Sequence, residues 1–261
     1  MKYIESKNND IFKNIKRLLL KPKNRKNSKR FVVEGLKEIM LCLECNYNLI
    51  ELFVCSEIHN KKHDDLYLKY KTTNLSENLY KELSYKEKGD GFLAIFHSKE
   101  FNLDQLILTE NPFILVIESP EKPGNIGAIL RTADAAGIDA VIIANPKTEI
   151  YNPNIIRSSL GSIFSSQIGI GKTKEVIEFL KKNKIKIIST LIKNSVDYSS
   201  VKFTGPCAII VGTESSKLSD DWINISDKLI NIPMKGKMDS LNLSVTAAIV
   251  IFEALKQRNA N

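Results

Sequence analysis

No apolar run in this 261-residue chain approaches the roughly 20 residues that a membrane-spanning helix requires. The opening residues, Met1-Lys2-Tyr3-Ile4-Glu5-Ser6-Lys7, lack the apolar core of a signal peptide, which points to a cytoplasmic protein. Cysteine is scarce. Cys42, Cys45, Cys55 and Cys207 show no disulfide-framework spacing, as expected in a reducing compartment. Cys42-x-x-Cys45 has no second ligand pair and falls in a helical pattern that buries it. There is no His-Glu-x-x-His pattern. His59 and His63, with Asp64 and Asp65 nearby, read as a polar surface turn, so no metal is expected. A Gly-x-x-x-x-Gly-Lys-Ser/Thr phosphate loop is absent. Gly124-Asn125-Ile126-Gly127 lacks the third glycine of a dinucleotide fingerprint, and no acid closes a second strand about twenty residues on. These absences disfavour a nicotinamide-dependent oxidoreductase. No internal repeat is found.

The hydrophobic content, 43%, is ordinary for a globular protein, and the length allows one large domain or two ordinary ones. The net charge is +8. Part of it is concentrated, because Lys21, Lys23, Arg25, Lys26, Lys29 and Arg30 follow one another with no acid among them. Such a run suits a polyanion such as RNA. It equally suits a solvated loop.

Periodicity divides the chain near Thr109-Glu110-Asn111-Pro112. Before it, Ile11, Ile15, Leu18 and Leu19 mark a helix over Asp10 to Leu20, which Pro22 stops. Strands are expected at Phe31 to Val33, Leu49 to Cys55 and Phe92 to Phe96. Helices are expected at Leu36 to Cys45, Asp64 to Tyr70 and Ser76 to Leu83. After the boundary, strands are expected at Ile114 to Ile117, Val141 to Ala144, Gln167 to Ile170, Lys186 to Ser189, Cys207 to Val211 and Leu229 to Pro233. Helices fall at Gly127 to Ala136, Pro153 to Leu160, Lys174 to Lys182 and Ser244 to Arg258. Alternating strands and helices predict an α/β fold with a mainly parallel sheet covered on both faces. The expected domains are residues 1–108 and 109–261.

Three polar motifs each follow an apolar strand. They are Pro123-Gly124-Asn125-Ile126-Gly127-Ala128-Ile129-Leu130-Arg131-Thr132-Ala133, then Val211-Gly212-Thr213-Glu214, then Ile232-Pro233-Met234-Lys235-Gly236 running into Ser240-Leu241-Asn242-Leu243-Ser244. Ligands of open α/β sheets bind at the carboxyl ends of strands. A plain tight turn, with glycines for φ > 0 and helix packing, accounts for Gly124 and Gly127 but not for Asn125 or Arg131. Asn125 offers donor and acceptor, and Arg131 a five-donor fork suited to phosphate. On a turn leading into a helix, both can face the strand ends. Glu214 can be a helix N-terminus partner or part of a site. Ile232, Met234 and Leu241 offer apolar walls. Ser240 and Asn242 are polar exceptions before a helix that is mostly core.

In this order and spacing the motifs resemble those of the SpoU (TrmH-like) RNA methyltransferases. The segment Arg157-Ser158-Ser159-Leu160-Gly161-Ser162 is similar to a further family stretch. Arg25 followed by Phe31-Val32-Val33-Glu34-Gly35 resembles the start of that family's substrate-binding domain. The resemblance implies a C-terminal α/β trefoil-knot domain that binds S-adenosylmethionine, a smaller N-terminal α/β/α domain, and a homodimer. It implies methyl transfer to a ribose 2′-hydroxyl of RNA, with ribosomal RNA favoured. A transfer RNA enzyme and a catalytically silent RNA-binding protein of the same fold are the alternatives. Arg131, Asn125, Glu214, Ser240 and Asn242 take catalytic places, and Val211, Gly212, Ile232, Met234 and Leu241 cofactor places. From the basic run, Lys23, Arg25, Lys26, Lys29 and Arg30 are the expected RNA contacts. Ser215 and Lys217 stand where many members have glycine, so the turn there can differ.

Overall fold

The computed structural model describes residues 2–59, 69–85, 89–212 and 218–260. The chain forms two compact units. One comprises Met1–Glu100 with Glu149–Ser165, the other Phe101–Thr148 with Ser166–Asn261. The break thus comes eight residues before the expected one. A segment from between the motifs also joins the first unit, which periodicity did not foresee.

The first unit is built on a five-stranded sheet in the order β1-β4-β3-β5-β2. Its strands are β1 (Lys2–Ile4), β2 (Arg30–Glu34), β3 (Leu49–Val54), β4 (Thr72–Leu75) and β5 (Phe92–His97). Helix α1 (Asp10–Leu20) starts where the Asn9 side chain accepts from Ile11 N, and it buries Phe12, Ile15 and Leu18 against one sheet face. Pro22 does more than stop α1. It opens α2 (Pro22–Ser28) at the first helical position, where a missing N–H costs nothing. The basic run is therefore mostly helical, not a loop. Helices α3 (Leu36–Glu44) and α4 (Glu77–Leu83) complete this stretch. Most of the helix expected at Asp64 to Tyr70 lies outside the described residues.

On the sheet face opposite α1, Phe31 stacks on Tyr151 with ring centroids 4.3 Å apart. Tyr47 and Phe164 meet edge to face at 5.2 Å. Tyr151 precedes the short helix α5 (Pro153–Ser158), and Phe164 lies within the short helix α6 (Ser162–Ser165). This aromatic cluster is why Glu149–Ser165 belongs to the first unit, since aromatic pairs combine large buried area with favourable ring geometry.

The second unit carries a seven-stranded sheet, β10-β12-β9-β11-β6-β7-β8, whose strand pairs all run parallel. Its strands are β6 (Phe113–Glu118), β7 (Ala140–Ala144), β8 (Ile168–Gly171), β9 (Lys186–Thr190), β10 (Val196–Asp197), β11 (Cys207–Val211) and β12 (Lys228–Asn231). Helices α7 (Pro123–Ala136), α8 (Thr173–Lys182), α9 (Asp220–Ile225) and α10 (Leu243–Asn259) accompany them. Ile114, Val116, Ile142, Val176, Leu180, Ile187, Ile210 and Trp222 form the core on one face. Helices α7 and α10 pack together, α7 against β7 and α10 against β11.

Leu103, Leu106 and Leu108 pack on this second core, which moves residues 101–108 out of the first unit. They can do so because β8 carries Gly169, where a β-carbon would come within 2.9 Å of Leu103. Strand β11 enters the gap between β6 and β9, after β7 and β8 have been laid down on the other side of β6. That threading fits the trefoil knot implied by the family resemblance.

Candidate functional site

The chain reverses direction in the second sheet between β6 and β11. After β6 it moves toward β7 and β8, and after β11 it crosses to β12 at the far side of β9. A crevice at the carboxyl ends of strands, at such a reversal, is where open parallel sheets bind ligands. The first motif follows β6, the second follows β11 and the third follows β12.

The first motif is helical almost from its start. Helix α7 begins at Pro123, four residues before the expected Gly127, and Gly137 closes it at φ 64°. The positive-φ glycines among the described residues are Gly35, Gly91, Gly137 and Gly161, so Gly124 and Gly127 are ordinary helical residues. The structure places Asn125 and Arg131 on one helix, not on a turn leading into it. Six helical residues separate two side chains by about 120° around the axis and about 9 Å along it. Asn125 lies in the first turn and Arg131 further along the helix, exposed. Among the described residues no carboxylate pairs with the Arg131 guanidinium.

The third motif is irregular chain. Strand β12 ends at Asn231, so Ile232 and Pro233 lie beyond it, not within it as expected. Asn231 anchors that end by donating to Ser195 O at 3.2 Å and Ser195 Oγ at 2.8 Å. Sequence reasoning passed over Asn231, although a polar residue ending an apolar strand was a visible signal. Ile232, Met234 and Leu241 are half-buried, and Ser240 is exposed next to Asp239. Asn242 caps α10, its Oδ1 accepting from Ser244 N at 2.8 Å. Its Nδ2 donates to Asn125 Oδ1 at 3.2 Å, which brings the first and third motifs together.

Of the second motif, Val211 and Gly212 are described, and Thr213, Glu214, Ser215 and Lys217 lie outside the described residues. Val211 is fully buried at the end of β11, paired with Ile117 of β6.

The basic run divides in two. Lys23, Lys26, Lys29 and Arg30 are exposed, and Lys29 meets Glu100 at 3.0 Å. Arg25 is 3% exposed. Its Nε donates to Glu149 Oε2 at 2.5 Å, and one Nη donates to Leu18 O at 2.6 Å and Leu19 O at 3.2 Å. Those carbonyls are orphans of the α1 C-terminus, which an arginine commonly satisfies. Arg25 is thus an internal strut, and its expected RNA contact does not fit this placement.

No group of three or more potential metal ligands occurs among the described residues. Burial raises the Cys42 thiol pKa and pushes that of Cys207 up to about 11. His59 lies edge-on to Phe92, and His63 lies outside the described residues. Arg157 to Ser162 fall in the first unit. No helix among the described residues is long and apolar enough to cross a membrane.

Residues 112–252 match the family model described as the SpoU rRNA methylase family. The chain belongs to the SpoU rRNA methylase family. The fold agrees with solved SpoU methyltransferases. A structure described as an RNA 2′-O ribose methyltransferase is 34% identical, with 98% of this chain and 99% of that one covered at a TM-score of 0.87. The SpoU methyltransferase AviRb from Streptomyces viridochromogenes, in complex with the cofactor AdoMet, is 27% identical, covering 97% and 99% at a TM-score of 0.88. The 23S rRNA (guanosine(2553)-2′-O)-methyltransferase RlmP of Bacillus subtilis is 29% identical over 252 residues, with 97% of this chain and 98% of that protein covered. Residues 8–94 match an MRM3-like substrate binding domain, a span that lies within the first unit.

Proposed function

We propose that this SpoU methylase transfers a methyl group from S-adenosylmethionine to a ribose 2′-hydroxyl of large-subunit ribosomal RNA. The observation that carries the reading is the hydrogen bond from Asn242 to Asn125, which unites two motifs at the carboxyl ends of the strands. The cofactor suits the residues present. Half-buried Ile232, Met234 and Leu241 give apolar walls for an adenosine and a thioether-like sulfonium. The irregular backbone that bears them, with that of Gly212, gives polar groups not committed to a helix or a strand.

Bound S-adenosylmethionine supplies an electrophilic methyl, so an O–C bond forms as the S–C bond breaks and the hydroxyl proton departs. The protein's part is to hold the hydroxyl in line at near-attack distance. Asn125 and Asn242 form one polar unit that orients the substrate. Ser240 orders the third motif, and Glu214, outside the described residues, keeps the catalytic place that the family resemblance gives it. Arg131 reaches the substrate with a rigid fork and polarises the hydroxyl or fixes a neighbouring phosphate. A guanidinium, with a pKa of about 12 or more, is a poor proton acceptor, so positioning and polarisation are its role. The proton passes to the neighbouring phosphate or to water, in concert with methyl transfer or after it.

Helix α10 supports a homodimer. Val245 and Phe252 are 45% and 48% exposed and seven residues apart, so they share one helical face and leave an apolar stripe on the second unit. Sedimentation equilibrium showing a single chain would remove the dimer from this reading. A protein acting on ribosomal RNA belongs in the cytoplasm.

Incubation with methyl-labelled S-adenosylmethionine and separate RNA pools tests the function. Label is expected in large-subunit ribosomal RNA, in a nucleotide whose 3′ linkage resists alkali because the 2′-oxygen is blocked. Label confined to transfer RNA, or absent from RNA, would defeat it.

The exposed lysines of α2 and its flank supply the electrostatic grip. Replacing Lys23, Lys26 and Lys29 by glutamine should weaken RNA binding and flatten the log–log salt dependence by about two to three units, at about 0.7 to 0.9 per lost phosphate contact. Cofactor affinity should stay constant. An unchanged slope in filter binding across a salt series would mean that the run is only a solvated surface.

A further inference from the structure

Glu118 ends β6 and is 6% exposed, yet it belongs to none of the three motifs. Its Oε2 accepts from the Ser219 backbone N–H at 3.0 Å. Its Oε1 accepts from Ser219 Oγ at 2.8 Å and from Thr173 Oγ1 at 3.1 Å. Thr173 Oγ1 in turn accepts from Asn145 Nδ2 at 2.6 Å. Polar contacts therefore run across the carboxyl ends of β6, β7 and β8, since Asn145 follows β7 and Thr173 opens α8 just after β8. A buried carboxylate persists where donors of this kind offset its lost hydration.

Ser219 lies just past the second motif. It is the N-cap of α9, but its side chain makes no cap hydrogen bond to that helix. The hydroxyl is given to Glu118 instead. Leu218, beside it, is 5% exposed and packs on the second core. Leu218 also closes on Gly212, where an added β-carbon would lie 3.1 Å from Leu218 Cδ1 and 3.5 Å from its backbone N. The chain thus leaves β11 at Gly212 and comes back to the same point at Leu218. Glu118 fixes where it comes back.

We propose that Glu118 is a positioning residue for cofactor binding. By anchoring Ser219 it sets the Gly212–Leu218 contact, and with it the backbone at Gly212 on which the cofactor reading relies. Glu118 acts through Ser219 and Leu218 and touches neither reactant. The inference rests on the cofactor reading given above.

Titration calorimetry of S-adenosylmethionine on the full chain tests it. Glu118→Asp shortens the side chain by one methylene and draws the carboxylate away from Ser219. It should weaken cofactor binding about tenfold, as expected for losing a hydrogen bond to a charged group. Ser219→Ala, which keeps the N–H donor, should weaken it about threefold. The double variant should bind no worse than Glu118→Asp alone, because both changes remove one contact. Glu118→Gln should recover most of the affinity, since hydroxyls can rotate to accept from its amide. The loss should appear in the KM for S-adenosylmethionine and not in kcat. A merely structural residue would lower the melting temperature and leave the affinity of the folded protein unchanged. Unchanged affinity in both Ser219→Ala and folded Glu118→Asp overturns the proposal. A wild-type chain that fails to bind S-adenosylmethionine overturns the cofactor reading itself.

Discussion

Arg131→Ala is expected to leave S-adenosylmethionine affinity within about twofold of wild type and to lower the single-turnover methyl-transfer rate by about two to three orders of magnitude, the loss typical of a missing transition-state donor. The separation follows from where Arg131 stands. It is exposed on α7, about 120° around the axis from Asn125, and among the described residues no carboxylate claims it. Among the described residues its charge supports no ion pair, so its removal should not disturb the cofactor walls at Ile232, Met234 and Leu241. Alanine is also the better helix former, so stability should not fall. Arg131→Lys should fail nearly as badly, because a point charge cannot replace a planar fork. Near-normal turnover in the lysine variant would sink the positioning role. A large loss of cofactor affinity in the alanine variant would move Arg131 from the substrate side to the cofactor side.

The largest effect on stability is expected at Arg25. Arg25→Ala leaves the Glu149 carboxylate, 9% exposed, without its cation and also strips Leu18 O and Leu19 O of their donor. Breaking a buried pair by removing one partner costs about 3–5 kcal/mol. Arg25→Lys should recover only part of this, since one ammonium on a flexible stem cannot serve a carboxylate and two carbonyls in the same geometry. Urea unfolding of the two variants checks the order. The salt dependence of RNA binding should not change in folded Arg25→Lys, in contrast to the lysine-to-glutamine variant of Lys23, Lys26 and Lys29. A cost below about 1 kcal/mol for Arg25→Ala, the range of exposed pairs, would remove the strut from the first unit.

Much of the second unit was legible because its strands are nearly continuous apolar runs, the mark of a parallel sheet buried on both faces. Each polar motif sat against the end of such a run, so the crevice could be located before any coordinates. Helix α7 was harder to bound. Pro123 and Gly124 read as a turn, but proline at the first helical position and a helical glycine extend the helix to Pro123. The strand β1 was not legible, being three residues with a single buried side chain, Ile4. Arg25 was misplaced because a basic run looks solvated from within. Its partner, Glu149, lies 124 residues away in sequence. Glu118 was passed over for a similar reason, since its donors come from Thr173 and Ser219. Local pattern locates strand ends and caps, but it does not pair distant polar groups in a core.

The segment Glu149–Ser165 has a consequence for how the chain is made and how it can be recombined. Residues up to Glu100 emerge from the ribosome first, yet the face of their sheet that carries Phe31 waits for Tyr151 and Phe164. Arg25 waits for Glu149 in the same way. This first stretch thus stays incompletely packed while β6, α7 and β7 are translated, and it depends on residues 149–165 to finish its own interior. Cutting the gene at the boundary near residue 100 would not yield an exchangeable module. A hybrid that borrows the N-terminal half of a relative must borrow that relative's counterpart of residues 149–165 as well, or bring an aromatic face and an arginine into a neighbour that does not match them.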